Sequence, residues 1–130
     1  MNSSHELIID HDSTEPIYRQ VVDGLRSLLV ERRLKPGDLL PTVRELGLEL
    51  GVHFNTVAQA YRILEAQGWL ELRRRRGAVV VRREDPDAGP ETEEDFRRSL
   101  RQLLAQARSE GLSVDWICRE LKRMTLELAL

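Results

Sequence analysis

At 130 residues, with 41% hydrophobic and 32% charged side chains, the chain reads as one soluble domain, or one small domain with an appendage. No window approaches ~18 uninterrupted apolar residues, which excludes a membrane span, and the amino-terminal MNSSHELIIDHD lacks the basic and long apolar stretches of a secretion signal. The single cysteine, Cys118, excludes an intrachain disulfide framework and a Cys-rich zinc site, and it fits a reducing cytoplasm. The net charge of −2 hides an asymmetry: residues 53–83 carry 7 Arg against Glu65 and Glu71, whereas residues 84–130 carry 7 Lys+Arg against 11 Asp+Glu. A basic centre precedes an acidic tail.

Leu7 to Asp10 could form one short strand. A helix then opens near Pro16, whose missing N–H costs nothing in a first turn, with Ser13 or Thr14 available to cap it. Ile17, Val21, Leu25 and Leu29, with Val22 and Leu28 beside them, draw an apolar stripe that ends by about Arg33. The segment LKPGD turns the chain, and Leu39-Leu40-Pro41 is too short for more than a β-bridge.

Thr42-Val43-Arg44-Glu45 reads as a capping box, with Thr42 as N-cap and Glu45 at N3. Leu46 and Leu50 continue an apolar face until Gly51 stops the helix. Gly47 costs about 1 kcal/mol relative to Ala inside so short a helix, and a close helix crossing there would explain it. After a Gly-Val turn comes VHFNTVAQAYRILEAQG, residues 52–68. Val57, Tyr61 and Leu64 recur at helical spacing and must pack inward. Asn55, Thr56, Gln59 and Arg62 fall on the other face, and Gly68 stands where a helix takes its left-handed C-terminal residue. Two short helices joined by such a turn make a helix-turn-helix. The outward amides, hydroxyl and Arg suit a major groove, although an ordinary surface helix would look similar.

After Gly68 the period changes from helical to alternating. Trp69, Leu70 and Leu72 run outward, Arg73, Arg74, Arg75, Arg76 and Gly77 make the tip, and Ala78 to Val81 return as a β-hairpin. Arginine clusters are commonly solvated surface. Four in a row repel one another, however, and beside a reading helix a phosphate partner is the better explanation.

Residues 84–90, EDPDAGP, are a linker by composition. A helix from Glu91 carries Phe96, Leu100, Leu103, Leu104 and Ala107 on one face. Gly111 breaks it, and Ser113 caps another whose stripe is Ile117, Leu121, Met124 and Leu128. Such a two-helix antiparallel hairpin is too small to bury both faces alone. Docking on the rest of the chain would cover the stripes, and so would a second copy. A second copy is preferred, because one helix-turn-helix reads only a few base pairs. Cys118, beside the last stripe, reads as an inert buried thiol. His5, His11 and His53 stand apart without metal-ligand or nucleophile–base spacing, so neither an enzyme nor a metal or cofactor site is expected.

The segments PIYRQVVDGLRSLL, LKPGDLLPTVREL, LGVHFNTVAQAYRILEAQGWL and RGAVVV together resemble the winged helix-turn-helix of the GntR family of bacterial transcription regulators, over about residues 6–83. The short helical tail resembles the YtrA-type branch, whose members lack a large effector domain and dimerise through the tail. The resemblance implies a mostly α fold with a small β-hairpin: a winged helix-turn-helix DNA-binding domain over 1–83, a linker over 84–90, and a two-helix dimerisation tail over 91–130. It also implies that Arg44 contacts DNA, that the recognition helix begins at His53, Phe54, Asn55 and Thr56, and that Arg76 and Gly77 form a wing tip at the minor groove. Many members carry Ser or Thr in place of His53 and Arg in place of Phe54. Losing that Arg removes the commonest guanine reader, and Phe54 is left either to touch a thymine methyl or to pack on the preceding turn.

The expected function is therefore a cytoplasmic homodimeric repressor on a pseudo-palindromic operator in double-stranded DNA, with half-sites ~34 Å apart. In that picture Asn55, Thr56, Gln59 and Arg62 face the major groove. Amides near Thr42 and Val43 hold a phosphate, and Arg73 to Arg76 hold backbone or the narrow groove. The alternative is a winged-helix adaptor for another protein. The sequence identifies no effector and no regulated gene.

Overall fold

The computed structural model describes residues 7–129; His5 lies outside them. The chain divides into two compact units, Met1–Arg83 and Glu84–Leu130. The first contains α1 (Ile17–Val30), β1 (Leu39–Leu40), α2 (Val43–Leu50), α3 (Phe54–Ala66), β2 (Leu70–Arg73) and β3 (Gly77–Val80). The second contains α4 (Pro90–Ser109) and α5 (Val114–Ala129).

In the first unit the apolar stripes meet as their spacing requires. Val21, Leu25 and Leu29 of α1 are buried with Leu46 of α2 and with Val57, Ala60, Tyr61 and Leu64 of α3. The inner faces of the strands, Leu40, Leu70, Ala78 and Val80, close the same core. Each fully buried Leu or Val contributes roughly 1.5–3 kcal/mol by leaving water.

Several local expectations change. Residues 7–10 form no strand; Leu7 instead reaches α1, where its side chain lies against the backbone of Gly24. α1 has no side-chain cap: Pro16 occupies the N-cap, and the Ser13 hydroxyl accepts from the Glu15 N–H instead. The entry is held by Gln20, whose side chain accepts from the Asp10 N–H at 2.8 Å and donates to the Asp10 and Glu15 carbonyls. α1 ends at Val30, with Arg32 taking the left-handed position (φ 61).

Leu39–Leu40 is more than an isolated bridge. It pairs antiparallel with β3, Leu40 opposite Ala78, so the hairpin becomes a three-stranded sheet in the order β1-β3-β2. The turn before it locks on the same strand, with the Gly37 N–H donating to Val80 O and the Val80 N–H donating to Asp38 O. A two-residue strand is invisible to periodicity, because two positions have no period.

The Thr42 cap forms half of the expected box. Its hydroxyl accepts from the Glu45 N–H and donates to the Glu45 carboxylate at 2.8 Å, so that carboxylate does not reach the N-cap amide. Gly47 is buried where the chain crosses itself: a Cβ there would lie 2.8 Å from the Val52 carbonyl oxygen and 3.4 Å from the Phe54 Cα. α3 ends with Gly68 left-handed (φ 86), the Gly68 N–H on Glu65 O and the Trp69 N–H on Leu64 O, a Schellman closure that turns the chain into β2.

In the second unit the helix starts one residue before the expected Glu91, at Pro90. α4 buries none of its described side chains and α5 buries only Ile117. Ser113 caps α5 as expected, accepting from the Trp116 N–H at 3.1 Å. Three acidic residues of α4 are partnered along the helix, Glu93 and Glu94 with Arg97 and Asp95 with Arg98. Cys118 is exposed, against the expectation of a buried thiol. It follows Ile117 by one residue, about a quarter turn round the helix, and so leaves the one position that α5 encloses.

Candidate nucleic-acid interface

The buried face of α3 determines what its other face can offer. With Val57, Ala60, Tyr61 and Leu64 turned inward, Asn55, Gln59 and Arg62 are exposed and Thr56 is half-buried. Tyr61 anchors the helix, its hydroxyl donating to the Pro41 carbonyl at 2.7 Å. Burial, then the carboxylates of Glu49 and Glu45, raise its pKa above the ordinary tyrosine value, so the phenol stays a donor.

His53 is the N-cap of α3: its Nδ1 accepts from the Asn55 N–H at 3.1 Å. Its ring stacks on Phe54 with centroids 4.5 Å apart, and the Arg44 guanidinium lies 4.1 Å from the centroid of the same phenyl. Phe54 is half-buried in this contact, so of its two expected roles the structure provides the packing one. Arg44 itself is exposed. Thr42 caps α2, its hydroxyl donating to the Glu45 carboxylate at 2.8 Å.

The tip is tighter than five residues. Arg73 ends β2 and Gly77 begins β3, leaving Arg74, Arg75 and Arg76 as the loop, closed by the Arg76 N–H on Arg73 O. Arg75 is left-handed (φ 64), a conformation that costs a non-glycine residue about 1–2 kcal/mol. Arg73 faces Glu71 at 3.5 Å, whereas Arg74, Arg75 and Arg76 are exposed and have no carboxylate partner among the described residues. Gly77 is there for space: a Cβ would sit 2.3 Å from the Leu40 carbonyl oxygen. A cleft between α3 and the hairpin is lined by Ala58, Arg62, Leu72, Arg73, Arg75 and Gly77.

Two bracing residues were not anticipated. The Glu65 carboxylate accepts from the Leu72 N–H at 2.9 Å, tying β2 to α3. Arg83 donates from Nε to the Gln67 carbonyl and lies over the Trp69 ring at 4.3 Å. The signal for Glu65 was its isolation as the one acidic residue between Val52 and Gly68. No group of His, Cys, Asp and Glu among the described residues could hold a metal.

Residues 17–80 match the family model described as bacterial regulatory proteins, gntR family. The HTH-type transcriptional repressor YtrA of Bacillus subtilis is 30% identical over 120 residues, 92% of each chain. The chain belongs to the GntR family. It is a transcription regulator and not an enzyme. Among solved GntR-type structures, YtrA from Sulfolobus acidocaldarius aligns over 94% of this chain and 98% of its own, with a TM-score of 0.54 and 36% identity. The AraR DBD in complex with operator ORX1 aligns over 58% of this chain and 93% of its own, with a TM-score of 0.51 and 28% identity. The GntR resemblance read from the sequence, and the mostly helical winged fold it implied, therefore hold, with a three-stranded sheet in place of the hairpin. No helix among the described residues is long and apolar enough to cross a membrane.

Proposed function

We propose that this GntR protein is a cytoplasmic, sequence-specific repressor that binds a pseudo-palindromic operator in double-stranded DNA as a homodimer. α3 enters the major groove with Asn55, Thr56, Gln59 and Arg62 toward the bases. Arg74, Arg75 and Arg76 bind phosphates or the narrow groove beyond, and Arg44 acts from the end of α2.

The observation that carries this reading is the wing tip: three exposed arginines without carboxylate partners among the described residues, one of them strained, on the loop that borders the same cleft as Arg62. Three like charges on so short a loop repel one another, and a polyanion offsets that repulsion. A structural relative of the same fold, the AraR DBD in complex with operator ORX1, supports duplex DNA as the partner.

Dimerisation is assigned to the second unit. Phe96 (64% exposed), Leu103 (62%), Leu121 (37%) and Met124 (47%) are left open to water, with Leu100 and Leu104 partly so. On α5, Val114, Ile117, Leu121, Met124 and Leu128 repeat at alternating three- and four-residue steps, the seam of a helix that packs along another. A second copy would bury those faces and set two recognition helices one DNA turn apart.

Binding of a random duplex, measured from low to moderate salt, tests the reading. The expected result is retention at low salt with a loss of roughly 10³–10⁵ in affinity between 50 and 200 mM salt for a protein making 6–10 phosphate contacts. No retention on any duplex overturns it and leaves the adaptor reading.

A further inference from the structure

The Arg44 guanidinium of α2 and the His53 imidazole that caps α3 both pack on one phenyl ring, that of Phe54, at 4.1 and 4.5 Å from its centroid. Resting on the DNA-binding reading above, we propose that Phe54 is a positioning residue for Arg44: its ring holds the guanidinium at the mouth of the recognition helix, and it does not itself read a base.

The geometry has a direction. His53 is fixed first, because its Nδ1 is committed to the Asn55 N–H at 3.1 Å. Its ring, tilted by only 26° from the phenyl, then sets the plane of Phe54. That plane in turn receives Arg44, which has no carboxylate partner among the described residues to orient it otherwise. The five N–H donors of a guanidinium fan out around one plane, so a ring 4.1 Å from its carbon leaves donors directed away from the phenyl. Arg44 thus remains able to donate to a phosphate or a guanine edge while most of its rotamer freedom is already removed. The contact also crosses from α2 to α3 at the point where Gly47 lets the two backbones approach.

A double-mutant cycle on the full chain tests this, using fluorescence anisotropy on a duplex selected by the wild-type protein from a randomised pool. Phe54→Leu should weaken binding roughly two- to fivefold, the size of an exposed cation–π contact, and Phe54→Tyr, which keeps the ring, should restore it. In an Arg44→Ala background Phe54→Leu should have no further effect. Independent, multiplying losses, or a loss that follows thymine at one operator position, would overturn the assignment while leaving DNA binding intact. A wild-type protein that selects no duplex would instead overturn the DNA-binding reading, and this assignment with it. A measurement on the unbound wild-type protein does not depend on variant folding: the Arg44 Nε–Hε resonance should be shifted by the ring current, and a random-coil position would overturn the proposal.

Discussion

Tyr61 and Pro41 are joined by a 2.7 Å hydrogen bond in which the phenol donates to the carbonyl oxygen, and this bond ties the centre of α3 to the residue that follows β1. The tyrosine is 1% exposed, so its hydroxyl has no water to fall back on. Together with the Glu65–Leu72 bond, the Tyr61–Pro41 bond registers α3 against the sheet.

Tyr61→Phe should therefore cost about 1–2 kcal/mol in urea unfolding, the value of a buried hydrogen bond whose acceptor is left unmet. The pH dependence follows in sign. The folded pKa is raised above the ordinary value of 10.0 by burial, Glu49 and Glu45, so the stabilisation is complete below pH 10 and is lost as pH rises beyond it, when only the unfolded chain releases the proton. The gap between wild type and Tyr61→Phe should narrow above pH 10. A constant gap would show that the phenol is not held neutral.

The wing should separate stability from binding. Changing Arg74, Arg75 and Arg76 together to Ala should lower the slope of log K against log salt by roughly 3 per subunit while thermal melting holds. Arg75→Gly removes the left-handed strain at φ 64, so it should raise stability by up to about 1 kcal/mol while weakening DNA binding. A fall in both would mean that Arg75 is a structural residue.

Gly77 has no room for a side chain. A Cβ 2.3 Å from the Leu40 carbonyl oxygen and 2.8 Å from that of Pro41 meets backbone on both sides, at a φ of 76. Gly77→Ala should destabilise the first unit by on the order of 2–4 kcal/mol, read by denaturant midpoint at unchanged m.

The tail should fail as an interface before it fails as helices. Leu103→Glu, at a position 62% exposed in one copy, should leave far-ultraviolet helicity in place while raising the dimer Kd roughly 30-fold or more, as measured by sedimentation equilibrium. Affinity for a two-half-site duplex should fall with it. An unchanged monomer–dimer equilibrium would move the interface elsewhere.

Much of this molecule was legible because its elements are amphipathic and punctuated. Val57, Tyr61 and Leu64 marked the inner face of α3, Gly51 and Gly68 marked helix ends, and the change of period after Gly68 marked the wing. Gly47 announced a close crossing through its cost alone, and the crossing is with Val52 and Phe54. The third strand, the uncapped start of α1 and the exposure of Cys118 were not legible. Each depends on a partner distant in sequence or on which side of a helix is covered.

Residue type and spacing by themselves determined the helix-turn-helix, the arginine-tipped hairpin and the apolar faces of the tail, since these follow from local periodicity and backbone preference. Only the tertiary structure decided that Glu65 braces the wing and that Phe54 packs under Arg44. Those are side-chain pairings between elements, formed where α2, α3 and the sheet converge, and a hydrogen bond or a stacked ring acts over a few ångströms of space whatever the separation along the chain.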